Sequence, residues 1–156
     1  MALPKEKFEE IKSKIQKFVD HEMVAHEGDL SFNHKFADHL SFLEEKRNMV
    51  RDMGLFAPQI PKEHGGLGLS LHQLGQIYEV LGKTFYGLYV FNCQAPDAGN
   101  MEILMEHGTD YQKETFLKPL VEGRVRSCFS MTEPEFAGSN PVIMGLSLIH
   151  ISEPTR

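Results

Sequence analysis

The sequence predicts a mostly α protein: an N-terminal all-α domain over residues 1–123, followed by the start of a β domain over 124–145. Three observations predict it. Apolar residues recur at steps of three and four through most of the chain. Two capping boxes, Ser70-Leu-His-Gln73 and Thr109-Asp-Tyr-Gln112, open helices. Only at Val125 to Met131 does a short strand-like run replace the helical spacing, and it stops at Pro134.

Lys5 to His26 places Phe8, Ile11, Ile15, Phe18 and Val19 on one face, with Pro4 near the first turn. Asp29 to Asn33 has no period and reads as loop. Phe36 to Met53 repeats the pattern with Phe36, Leu40, Leu43, Val50 and Met53, and Gly54 stops it. The next stretch, through Leu69, is too rich in proline and glycine for helix. Leu55, Phe56, Ile60 and Leu67 make it an ordered apolar loop. Ser70 opens a helix to Leu81, with Leu71, Leu74, Ile77, Tyr78 and Leu81 facing inward; Gly82 ends or bends it. Phe85 to Cys93 is apolar and aromatic and reads as a buried helix, though the pattern alone does not rule out a strand. Asp97 to His107 is a short helix closed by Gly108. Thr109 opens the last one, which Gly123 closes near Val121.

Bulk properties narrow the function. The 156 residues are 41% hydrophobic and 24% charged, which suits a globular domain with a real core. A net charge of −6, with basic residues beside acidic ones on helices, argues against nucleic acid as partner. No run is apolar and long enough to span a membrane, and the N-terminus carries no signal-like segment. A cytoplasmic setting is expected. Two cysteines, Cys93 and Cys128, are too few for a disulfide scaffold; both are expected as buried thiols.

Several motifs fail on spacing. His21 and His26 are five apart, so about 140° separates them on a helix, and a zinc site on one face is excluded. Gly75 and Gly82-Lys-Thr84 do not have phosphate-loop spacing. Gly65-Gly66-Leu67-Gly68 leads into a helix N-terminus, where an anion could sit; a tight turn is the preferred reading. No metal site and no catalytic residue are assigned. What remains is Arg126 to Asn140. Thr132 and Ser139 bring hydroxyls, Gly138 lets backbone amides come close to a ligand, and the strand edge adds donors and acceptors. Such a set suits a polar planar ligand.

Four stretches, in order, resemble the acyl-CoA dehydrogenase family: Gly54 to Leu69, Gln94 to Glu102, Gly108 to Leu120, and Phe129-Ser-Met-Thr-Glu-Pro134 with Gly138-Ser139. The second is similar to one branch, which includes members fused to a phosphotransferase-like domain. The resemblance implies an N-terminal helical domain, a middle β-barrel domain and a C-terminal helical bundle. The chain would supply the first and the opening strand of the second, and so reads as truncated. It implies FAD as cofactor and α,β-dehydrogenation of acyl-CoA thioesters in fatty-acid β-oxidation. Thr132 would bond the flavin near N5, backbone groups from Phe129 through Met131 to Thr132 would bond its polar edge, and Gly138 would allow close approach. Ser139 would reach the flavin diphosphate and the acyl-CoA. Electrons would pass to an electron-transfer flavoprotein, and the whole parent would be a homo-oligomer.

Two features depart from the family pattern. Asn140 stands where Asp is common, and three residues instead of two separate Pro134 from Gly138, as in the branch named. The family's glutamate base would lie C-terminal to this sequence, so Glu133 takes no such role and the piece alone should be inactive. An acyl-CoA oxidase or flavin monooxygenase relative, or a non-catalytic helical interaction module, are the competing readings. Leu146 to Arg156 is similar to translated adapter sequence and is expected to be a non-native tail.

Overall fold

Helix α1, Lys5–Phe18, begins just after Pro4, whose carbonyl accepts from the Phe8 amide at 3.0 Å. The chain is described as a computed structural model covering residues 2–28, 35–129, 140 and 142. The helical path of α1 continues through a π turn, Val19–Met23, and a 3₁₀ turn, Val24–His26. Phe8, Ile15, Phe18 and Val19 are buried, as the spacing predicts, with Ile11 half-buried; Met23 is buried as well. Glu27 then ties the end of this arm to a distant loop. Its carboxylate accepts from the Thr84 hydroxyl at 2.6 Å and the Phe85 amide at 3.0 Å.

Helix α2, Phe36–Asp52, turns a different face inward than its apolar residues suggest. His39, Leu43, Lys46, Arg47 and Val50 are buried, while Phe36, Leu40 and Met53 are exposed. Long basic side chains can lay their stems on apolar surface and keep their heads paired. Lys46 does so with Glu22 at 2.8 Å, and burial alone would lower its pKa, but Glu22 and Glu45 raise it.

The loop after α2 is ordered and apolar, as expected. Leu55, Phe56, Ala57 and Ile60 are buried, and the Ala57 amide donates to the Phe91 carbonyl at 3.0 Å. A 3₁₀ turn, Lys62–His64, leads into the glycine turn. A Cβ on Gly66 would lie 2.0 Å from the Ile60 carbonyl oxygen. That close approach supports the tight-turn reading of Gly65 to Gly68.

Helix α3, Leu71–Leu81, has the capping box read from the sequence: the Gln73 amide donates to Ser70 Oγ at 3.3 Å. Its buried face is Gln73, Ile77, Val80 and Leu81. Leu71, which the spacing places inside, is 86% exposed, because at 100° per residue it lies about 135° around the helix from the centre of the buried face. Gln73 turns inward instead. Its side chain accepts from the Leu3 amide at 3.1 Å and donates to the Leu3 carbonyl at 2.8 Å. The Gln73→Ala variant should lose about 2 kcal/mol in urea unfolding, since two buried backbone groups lose their partner. A loss below about 0.5 kcal/mol would show that this strap is not stabilising.

Phe85 to Cys93 contains one helical turn, α4, Gly87–Val90. The stretch is mostly buried, but Phe85 at its start is exposed. Helix α5, Asp97–His107, follows. The last helical stretch starts at the Thr109 capping box: α6, Asp110–Gln112, a π turn, Lys113–Leu117, and α7, Lys118–Val121. Pro119 explains the widening. It has no N–H to give a carbonyl four residues back, so the ladder is rearranged in the turn before it. The Lys118 amide accordingly reaches back five residues to Lys113.

The core gathers these elements around Ile15, Leu43, Ile77, Phe91, Met101 and Leu117. Phe18 meets Phe91 edge-on with centroids 5.6 Å apart. Among the described residues the fold is helical and contains no strand. Residues 125–129 of the expected strand carry no ladder, because the described residues offer no second strand to pair with.

Candidate functional site

After α7 the chain makes a sharp exit. Gly123 adopts φ +68° and donates to the Leu120 carbonyl at 3.1 Å, while the Arg124 amide donates to the Pro119 carbonyl at 2.9 Å. The next residues are caught by a buried carboxylate. Asp97, at the first position of α5, has no exposed surface. Its Oδ1 accepts from the Ser127 amide at 2.7 Å and the Ser127 hydroxyl at 2.6 Å. Its Oδ2 accepts from Arg126 Nε and Gln94 Nε2, both at 2.5 Å. Ser127 Oγ also accepts from Asn100 Nδ2 at 2.8 Å, so its hydroxyl both donates and accepts.

Behind this clamp lies a second buried polar group. The Arg47 guanidinium donates to the Tyr89 carbonyl and, at 3.3 Å, to Asn92 Oδ1. It stacks 4.6 Å from the Tyr89 ring centroid and 5.0 Å from that of Phe56. Arg47 Nε lies 3.3 Å from Glu44 Oε1, close enough for ion pairing but not aligned as a hydrogen bond. Burial pulls the guanidinium below its ordinary pKa, and Tyr89 and Glu44 oppose this. Asn92, at φ +57°, donates to the Leu120 and Val121 carbonyls at 3.0 and 3.1 Å. The last carbonyls of α7 are thus satisfied from inside. Arg126 in turn sits 5.0 Å from the centroid of the Tyr89 ring. Arg47 and Asp97 are therefore linked through Tyr89 and Arg126.

A cavity of about 350 Å³ runs beside Val125, Arg126 and Ser127, walled by Asn100, Ile103 and Phe116 among others. A larger groove of about 740 Å³ lies between Arg51, His64, Lys113 and Lys118 and shares no lining residue with it. Its charges partly neutralise one another, as in the 2.5 Å contact of Lys118 with Glu114. Among the described residues no cluster of His, Cys, Asp or Glu could hold a metal ion.

Of the residues singled out from the sequence, Phe129 is described: it is 53% exposed, and its ring lies 3.7 Å from where a Cβ on Gly99 would be. Met131, Thr132, Gly138 and Ser139 lie outside the described residues. The sequence reading missed Asp97, Asn100 and Ser127. An available signal was Asp97-Ala-Gly-Asn100, which puts two short polar side chains one turn apart beside small neighbours.

The two cysteines differ. Cys93 is buried as expected, but Cys128 is exposed, since the extended segment turns it away from α5. Burial pushes the Cys93 thiol and the Tyr78 phenol well above their ordinary pKa values. A raised folded-state pKa means the contribution is whole below the ordinary values, 9.0 and 10.0, and falls as pH climbs past them. Iodoacetamide at neutral pH should therefore modify Cys128 and spare Cys93, as read by mass spectrometry of the peptides. The urea midpoint should hold near neutral pH and drop above about pH 9. Equal labelling of both thiols would contradict the burial of Cys93.

The model of the family described as "Acyl-CoA dehydrogenase, N-terminal domain" matches residues 5–124. Acyl-CoA dehydrogenase family member 10 of Mus musculus is 46% identical over 100 residues, covering 63% of this chain and 9% of that protein. Acyl-CoA dehydrogenase family member 11 of Gallus gallus is 43% identical over 106 residues, 68% of this chain and 13% of that protein. A solved structure from Mycobacterium abscessus, provisionally assigned as an acyl-CoA dehydrogenase, superposes with a TM-score of 0.70 at 32% identity. It covers 88% of this chain and 37% of that one. The chain thus spans only about a tenth of the length of these curated relatives. With the family model covering every helix from α1 to α7, the chain belongs to the acyl-CoA dehydrogenase family, as its N-terminal helical domain.

Proposed function

We propose that this chain supplies the helical domain and the first flavin-contacting segment of an FAD-dependent acyl-CoA dehydrogenase. The reaction would be α,β-dehydrogenation of an acyl-CoA thioester. The observation that carries this reading is positional. The family match ends at residue 124, and Phe129-Ser-Met-Thr-Glu-Pro134 lies just beyond it.

In this reading Thr132 and the backbone of Phe129 to Thr132 hold the flavin ring. Gly138 would allow close approach, and Ser139 would reach the diphosphate and the acyl-CoA. The described end of the segment fits such a ligand in kind. Among the described residues nothing accepts from the Cys128 or Phe129 amides, and the Phe129 ring is half open. FAD, when bound, supplies the hydride acceptor. The donors of this segment would stabilise the negative charge that accumulates there. No residue of this chain is assigned as the base that removes the α proton. An electron-transfer flavoprotein, a cytoplasmic location and a homo-oligomeric parent complete the proposal.

The test is a comparison of two polypeptides. The 156-residue chain should stay colourless with FAD and should not reduce a dye acceptor with acyl-CoA. A longer polypeptide carrying the subsequent β and helical domains should purify yellow and do so. Failure of the longer polypeptide to take up FAD, or to turn over any acyl-CoA, would sink the proposal.

A further inference from the structure

Residues Arg126 to Phe129 are not simply draped on the helical domain; they are gripped at one point. Ser127 makes two bonds to Asp97 Oδ1 and a third to Asn100. Asp97 and Asn100 are three apart on α5 and so share a face. Arg126 is held by the other oxygen of the same carboxylate. A carboxylate with no exposed surface is stable only when its lone pairs are filled by donors, and here four donors fill them. The side chains also alternate. Ser127 bonds α5, Cys128 is exposed, and the Phe129 ring returns over Gly99 of α5. That is the period of two of an extended chain.

We propose that Asp97 is a positioning residue for the flavin-contacting segment, acting through Ser127 and Arg126. This rests on the reading that the segment contacts flavin. In an extended segment a slip of one residue exchanges its two faces. Fixing Ser127 toward α5 therefore decides which face Cys128 and Phe129 present where the segment begins. The buried carboxylate sets register, and touches no ligand itself.

Two measurements test this. In the full 156-residue chain, amide hydrogen exchange is read by NMR for the wild type, Asp97→Asn and Ser127→Ala. The Asn side chain keeps the shape but sets an NH₂ against one of the donors. The Ser127 amide should exchange on the order of tenfold faster in Asp97→Asn and less so in Ser127→Ala, with Leu43 and Ile77 amides unchanged. In the FAD-loaded longer polypeptide, Asp97→Asn should weaken FAD binding about tenfold and change the visible circular dichroism of the bound flavin. If the Ser127 amide exchanges equally in all three proteins, there is no grip. If it changes but FAD affinity and the flavin signal do not, Asp97 is structural and the proposal is wrong. If the wild-type longer polypeptide takes no FAD, the flavin reading fails, and the positioning role with it, whatever the exchange shows. Should Asp97→Asn not fold, Ser127→Ala decides by the same two readouts.

Discussion

The Gly123→Ala variant should lose roughly 3 kcal/mol or more of stability, a large share of what a domain of this size has. Two costs combine. The residue sits at φ +68°, where a Cβ costs about 1–2 kcal/mol. The added carbon would also lie 2.5 Å from Arg47 Nη2 and 2.7 Å from Phe56 Cζ. An arginine tip normally yields cheaply. This one is 1% exposed, bonded to Tyr89 and Asn92, and stacked on two rings, so it cannot swing aside. Urea unfolding followed by circular dichroism would show the midpoint shift. An unchanged midpoint would mean that the exit from α7 is loose.

Replacing Arg47 is the second large effect. Arg47→Ala should cost about 3–5 kcal/mol, because it opens a cavity and strips the Tyr89 carbonyl and Asn92 Oδ1 of donors. Arg47→Met refills most of the volume and should recover part of that loss. Thermal melts should therefore rank wild type above Met above Ala. If the methionine variant matched the wild type, packing alone would account for Arg47, and its bonds would contribute nothing. The ranking separates shape from charge, since only shape is restored.

These two residues show how far the sequence could be read. The positions and ends of helices were legible because they follow from local chemistry. Ser70 and Thr109 cap what they should, Gly123 ends α7, and the proline-rich loop buries Leu55, Phe56 and Ile60. Which face turns inward was less legible where polar residues carry the packing. Arg47, Gln73 and Asp97 are invisible to hydrophobic spacing, since each is buried only because a partner far along the chain satisfies it. Pairing across 70 residues, as between Leu3 and Gln73, leaves no local mark. The same limit applied to Leu71, whose apolar side chain fits the helical spacing but lies across the helix from the face that Gln73 helps to bury. The π turn before Pro119 was missed for a different reason. The proline was plain to see, but a broken ladder can be repaired in several ways, and packing chooses one.

The contrast between the two thiols also makes the unmodified chain a single-cysteine protein for practical purposes. A maleimide fluorophore or spin label would attach at Cys128 with no mutagenesis, because Cys93 is sealed in the core. The label would then ride four residues ahead of Thr132. Its mobility and environment would report, in real time, on a cofactor, a substrate or a neighbouring domain arriving at that edge.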